Sequence, residues 1–352
     1  MADFAVDLLK LTPANESMVM SPLSLIAALA VLERGANGIT KNEITDALKR
    51  QSENDVSELL KKLDAADGVA MAVATKLFLA LGMEIRQDYN DSIQKDYKVA
   101  AERLDFKDKD RTIEIVNNFV SEATREMIPK LLEDDYYRPE TRAFLINAVY
   151  FKGLWSTPFS SDSTREETFH GIKGDREESF MSYHRLRGCR YYKEDDAELL
   201  TLPYKDKEYE FVIFLPAESK FEGFRGGLSG EILKKLHKNA RRDRVNVTIP
   251  KFKISSEPPM KKMLQQLGIS QLFSENCDLK GVSDKETLYV DDVIHKAVVE
   301  VNEEGTEAAA VTGATMMLTS MPMDEPIDFR ADRPFVYGIY CGEEPIFIGQ
   351  YC

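Results

Sequence analysis

The four histidines of this 352-residue chain, His170, His184, His237 and His295, are the first candidates for acid–base or metal chemistry. None stands in an H-E-x-x-H frame, so no two imidazoles lie one helical turn apart beside a glutamate base. No serine sits within G-x-S-x-G, the strained turn that exposes a hydroxyl nucleophile. Cys189, Cys277, Cys341 and Cys352 are few and widely spaced; they lack metal-ligand spacing and read as free thiols of a reducing compartment. The run GFRGGLSG, Gly223 to Gly230, lacks the Gly-Lys-Ser/Thr ending of a phosphate loop and reads as a turn-rich loop. Lys234, Lys235, Lys238, Arg241, Arg242 and Arg244 could meet a polyanion, but suit a solvated helix face better. Catalysis therefore has almost no support, and no cofactor or metal is expected.

The most informative stretch carries no catalytic residue at all. Asn302 to Pro326, NEEGTEAAAVTGATMMLTSMPMDEP, lies between a strong strand signal, HKAVVEV from His295, and another apolar run, RPFVYGIY from Arg333. Connections longer than about 12–15 residues are rare in compact domains unless they are functional or disordered. With a period of two, Thr306, Ala308, Ala310, Thr312, Ala314 and Met316 form one small or apolar face, while Glu307 is the only charge on the other. The segment could thus live outside as a loop or inside a sheet as a strand. TEAAA could equally start a short helix, and a plain flexible linker is the third possibility.

The elements that must position it are readable by pattern. The chain is 43% hydrophobic and 30% charged, which can bury one large core, and it reads as one domain over residues 1–352. Ser21-Pro22 opens a buried helix. VAMAVATKLFLA, Val69 to Ala80, and AFLINAVYFKGLW, Ala143 to Trp155, read as buried strands. ESFMSYHR, GCRYYKE, AELLTLPY and YEFVIFLP suggest a second, antiparallel sheet. A net charge of −14 and a pI near 5.0 argue against nucleic acid as a partner, and no 18-residue uncharged apolar window predicts a membrane span. MADFAVDLLKL lacks a basic leader region and reads as an amphipathic helix, so a cytoplasmic location is expected; secretion would need a removed leader or an internal signal.

EEGTEAAAVT followed by FRADRPFVYGI resembles the reactive-centre loop of serpins and the strand after it. SPLSLIAALAVLERGANG, NAVYFKGLWSTPF, IPKFKI and LGISQLFSENCDLKGV resemble further serpin segments in the family's order, across nearly the whole chain, and residues 113 to 132 resemble the helix that lies across the main sheet. The resemblance implies an α+β serpin fold: eight to nine helices on three β-sheets, a large central mixed sheet, and an exposed reactive-centre loop at about 303–326. It implies no enzyme but a monomeric inhibitor of endopeptidases. The partner is a protease trapped covalently after it cuts the loop, which then inserts into the main sheet. A non-inhibitory carrier, chaperone or binding protein is the alternative. The region after the third helix, basic in heparin-binding members, is acidic here, so no heparin site is expected.

Residue by residue, the resemblance assigns Gly305, Thr306, Glu307, Ala308, Ala309 and Ala310 to the hinge. It assigns Ser21, Ser24, Asn147 and His295 to the shutter beneath the sheet's opening point. It assigns Trp155, Lys251 and Glu303 to the breach where insertion starts. The family's spacing from the hinge glycine puts the reactive bond at Thr319–Ser320, with Leu318 as the alternative bait. Small or apolar residues there imply elastase- or chymotrypsin-like targets, or papain-like cysteine proteases; the lack of Arg and Lys disfavours trypsin-like ones.

Overall fold

Ser21 starts the most buried helix. Its hydroxyl oxygen accepts the Ser24 N–H at 3.2 Å, Pro22 takes the first helical position, and the helix runs Pro22–Gly35 with apolar residues on every side. Such a helix is stable only when covered all round, and it packs against the strands Ala143–Leu154 and Glu344–Tyr351 and the helix Gln87–Tyr97. The computed structural model describes residues 1–48, 59, 62, 66–133, 140–194, 196–285, 287–306 and 325–352. Among them, eight α-helices pack on three sheets.

The six-stranded sheet is mixed. Its order is Phe252–Ser256, Asp292–Val301, Ala143–Leu154, Val69–Ala80 and Ala101–Leu104, with the two-residue strand Gly305–Thr306 added on Ala143–Leu154. Asp292–Val301 runs parallel to Ala143–Leu154 through eight ladder pairs, Asp292↔Phe144 to Val299↔Phe151. The pleat of Ala143–Leu154 separates two cores. Leu145, Val149 and Phe151 face the main core, while Phe144, Ile146, Ala148 and Tyr150 join a smaller one with Val116 and Val120 of the helix Lys109–Ala123. Each fully buried side chain of this size contributes roughly 1.5–3 kcal/mol.

A seven-stranded sheet, antiparallel throughout, holds Met18–Met20, Glu344–Tyr351, Phe335–Cys341, Tyr209–Pro216, Ala197–Pro203, Arg190–Glu194 and Arg241–Arg242 in that order. The third sheet orders Ile327–Arg330, Val245–Pro250, Gly174–Leu186 and Thr164–Gly171.

Three sequence expectations need correction. The helix across the main sheet spans Lys109–Ala123 and stops well short of Leu132. Arg125 and Glu126 are left-handed (φ 54° and 64°), which breaks the helix, while Ile128, Leu131 and Leu132 of the following loop still bury themselves and extend the apolar pattern. GFRGGLSG is not a turn-rich loop: Phe221–Gly227 is a helix despite its glycines. Its Arg225 is buried and donates to Leu9 O (2.5 Å), Thr12 O (2.6 Å) and Gln350 Oε1 (2.6 Å), so tertiary bonds override propensity. Finally, the four middle strands do not share one sheet, since Gly174–Leu186 belongs to the four-stranded one. Val69–Ala80 has the expected bounds, yet Ala70 to Val73 are only partly covered.

Candidate functional site

The parallel pairing His295↔Asn147 and the antiparallel pairing Thr75↔Asn147 bring three polar residues abreast in an apolar sheet. Beneath them lie Ser21 and Ser24 of the buried helix. Ser21, Ser24, Asn147 and His295 are all fully buried, so each must find partners within the protein. The Ser21 N–H donates to His295 Nε2 (3.2 Å). Nε2 is therefore an acceptor, and the imidazole proton sits on Nδ1 and is donated to Asn147 Oδ1 (2.7 Å). The Ser24 hydroxyl also donates to Asn147 Oδ1 (2.8 Å). Asn147 Nδ2 donates to Thr75 Oγ1 (2.8 Å) and Ser24 O (3.2 Å), and the Ser21 hydroxyl donates to Ile346 O (2.9 Å). One polar knot thus ties three adjacent strands of the mixed sheet to the helix and to the antiparallel sheet.

Burial pushes the His295 imidazole down from its usual 6.5 to about 3, against a smaller raising effect of its bond to Asn147. A second proton would also set Nε2–H against the Ser21 N–H. The folded-state value is the depressed one, so between these limits the unfolded chain binds the proton that the folded chain refuses. Stability from this group is complete above about pH 6.5 and falls by about 1.4 kcal/mol per unit as the pH drops toward 3. Melting wild type and His295→Gln from pH 7 to pH 4 should show wild type losing stability faster; parallel curves would contradict this assignment.

At the top of the same sheet the chain reverses. Asn302 and Gly305 exchange backbone hydrogen bonds (2.8 and 3.2 Å) around Glu303 and Glu304. Gly305 and Thr306 then pair antiparallel with Leu154 and Gly153. Gly305 has φ +141°, and a Cβ there would lie 2.0 Å from the Gly153 carbonyl oxygen, so glycine is required by close approach and conformation together. Trp155 anchors the turn: its N–H donates to Glu304 O (2.9 Å), its indole Nε1–H donates to Asn302 O (2.9 Å), and its ring stacks on Tyr204 at 4.8 Å. Glu303 accepts from Lys251 Nζ (2.9 Å) and from the Thr164 hydroxyl (2.8 Å). Burial raises the Glu303 carboxyl, but the bonds to Lys251, its own backbone and Thr164 outweigh it and hold the group below the usual carboxylate range.

The structure thus gathers Ser21, Ser24, Asn147 and His295 in one cluster, and Trp155, Lys251, Glu303 and Gly305 in another. Glu307, Ala308, Ala309, Ala310, Leu318, Thr319 and Ser320 lie outside the described residues. Sequence reasoning misses Thr75, Thr164 and Tyr204. Thr75 carries a signal, as the one hydroxyl in the apolar run VAMAVATKLFLA. Among the described residues, no three His, Cys, Asp or Glu side chains could hold a metal ion.

A family model described as "Serpin (serine protease inhibitor)" matches residues 1–352. A "Serine protease inhibitor" of Cyanea capillata is 33% identical over 96% of this chain and 92% of its own length. A "Leukocyte elastase inhibitor" of Sus scrofa is 32% identical over 96% and 93%. Among solved structures, a thermophilic serpin, Tengpin, in the native state superposes with a TM-score of 0.89 at 30% identity, covering 99% of this chain and 92% of that one.

Proposed function

The chain belongs to the serpin family, and from that membership we propose that it inhibits endopeptidases as a suicide substrate. A protease attacks the carbonyl of Thr319, or of Leu318, and the amine of the next residue leaves. The acyl-enzyme ester persists because the loop, now cut, moves into the mixed sheet and carries the protease with it. Elastase- or chymotrypsin-like serine proteases, or papain-like cysteine proteases, are the targets this bait suits. A cytoplasmic location and a monomeric state belong to the same reading.

The observation that carries it is the docked hinge. Gly305 and Thr306 already form ladder pairs with Leu154 and Gly153, immediately above Val299↔Phe151, where the two parallel strands close on each other. Continuing that antiparallel register is geometrically simple. Glu307 would come opposite Lys152, Thr312 opposite Asn147, and Met316 opposite Ala143, the first residue of the strand. Because laterally paired residues share a face, Thr306, Ala308, Ala310, Thr312 and Ala314 would all point into the main core, where only small, uncharged side chains fit. Thr312 would arrive between Asn147 and His295, supplying a hydroxyl where their mutual bond must break. The proposed reactive bond lies beyond the inserted part.

The test is direct. Mixing the protein with chymotrypsin, elastase and a papain-like cathepsin should give, with at least one of them, an adduct that survives boiling in SDS and contains both chains. Cleavage of the loop by all three without any adduct would overturn the proposal and leave a non-inhibitory serpin.

A further inference from the structure

Three arginines with no carboxylate partner among the described residues stand at the two roots of the reactive loop. Ile327, where the described chain resumes after the loop, donates its N–H to Arg244 O (3.0 Å) and pairs with Val245. Val245 pairs on its other side with Leu186, and the Arg185 N–H donates to Asn246 Oδ1 (3.0 Å). Arg242 pairs in register with Arg190. The segments 185–190 and 241–246 therefore run side by side. Arg187 reaches the other root, lining a small cleft with Trp155, Thr157 and Phe159, and Trp155 is the residue that holds the hinge turn.

The side chains of Arg185, Arg187 and Arg242 are exposed. Two carboxylates lie nearby, Asp243 and Asp328; each accepts from a neutral N–H, the Arg244 backbone and Asn246 Nδ2, and keeps its charge, while Glu303 is paired with Lys251, so the three arginines outnumber these two carboxylates. A local excess of positive charge on a chain of net charge −14 is unfavourable for contact with a basic partner and favourable for an acidic one. Its position decides what that partner is. Any protease that engages the loop must bring the rim of its cleft over both roots.

We propose that Arg185, Arg187 and Arg242 form a cationic collar around the reactive loop that recruits proteases with an acidic rim around the active-site cleft. This rests on the inhibitor reading and adds a selectivity to it: the loop supplies the bait, and the collar sets how often an encounter is productive. Charges of this kind act on the association rate, by about 10- to 1,000-fold at low ionic strength, and fade with salt.

Chymotrypsin, unmodified and with its surface lysines succinylated, provides a basic and an acidic probe with one bait preference. The triple variant R185E/R187E/R242E should associate about tenfold more slowly than wild type with the succinylated enzyme at low ionic strength, and no more slowly with the unmodified enzyme. The difference should vanish in 0.5 M salt, and the fraction of encounters that end in adduct should not change. A control, K41E/K95E/R103E, makes the same change in net charge outside the collar and should show little of this contrast. Equal rates for wild type and the triple variant, or an equal effect of the control, would overturn the collar. Should no adduct form with either enzyme, chymotrypsin is not a target, and the inhibitor reading stands or falls on elastase and the papain-like cathepsin. Binding of the active-site-blocked succinylated enzyme, weakened about tenfold by the triple variant and not by the control, would then still decide for the collar, and its absence against it.

Discussion

Cutting the chain once near Leu318, at the proposed reactive bond, is expected to raise its thermal midpoint by tens of degrees. In ordinary proteins a nick lowers stability, so the sign alone is diagnostic. The mixed sheet has a seam between Asp292–Val301 and Ala143–Leu154, and a new central strand entering there would be paired on both sides. About ten additional ladder bonds, each worth roughly 0.5–1.5 kcal/mol net, give on the order of 10 kcal/mol. At about 2–4 °C per kcal/mol for a large domain, that is a rise of roughly 20–40 °C. The intact protein would then be held in its present form by a barrier rather than by being the lowest state. Calorimetry of intact and nicked protein checks this, and a nicked form that melts at or below the intact one would refute it. Thr312→Val should lower the nicked form's midpoint by a few degrees and leave the intact form unchanged, because only insertion brings this residue to Asn147 and His295.

Thr306→Arg should convert the inhibitor into a substrate. Thr306 pairs with Gly153 at the mouth of the seam, so every later residue must follow it. In the proposed insertion its side chain would face the main core. An arginine there would have to bury a guanidinium without a counter-charge, at a cost of several kcal/mol. Each 1.4 kcal/mol on the insertion barrier slows it tenfold, while hydrolysis of the acyl-enzyme proceeds at its own rate. Adduct yield should therefore fall at least tenfold, with cleaved protein taking its place at an unchanged rate of cleavage. Undiminished adduct from this variant would show that insertion is not what stops the protease.

Much of the fold is legible in the order of residues alone. The apolar runs mark the strands Val69–Ala80 and Ala143–Leu154 nearly to the residue; the second is buried on both faces along most of its length and so needs no polar alternation, while the first is only partly covered. Features set by distant partners are not legible in this way. The helix Phe221–Gly227 depends on Arg225 reaching Leu9, Thr12 and Gln350, which are far away in the chain. The helix Lys109–Ala123 ends at two left-handed residues whose types do not announce it. A hinge glycine suggests flexibility, whereas Gly305 here permits a close backbone contact with Gly153.

The order of strands in the antiparallel sheet has a consequence for synthesis. Phe335–Cys341 and Glu344–Tyr351 occupy interior places, with Met18–Met20 on one flank and Tyr209–Pro216 on the other. A chain emerging from the ribosome must keep that slot open until both strands have followed, after the rest of the sheet has emerged. Until then Met18–Met20 and Tyr209–Pro216 each lack the strand that pairs with them on this side of the sheet. A chain broken off before Ile348 would lose the residues that pair with Met18–Met20, and so unseat one strand by the loss of another far away in the sequence.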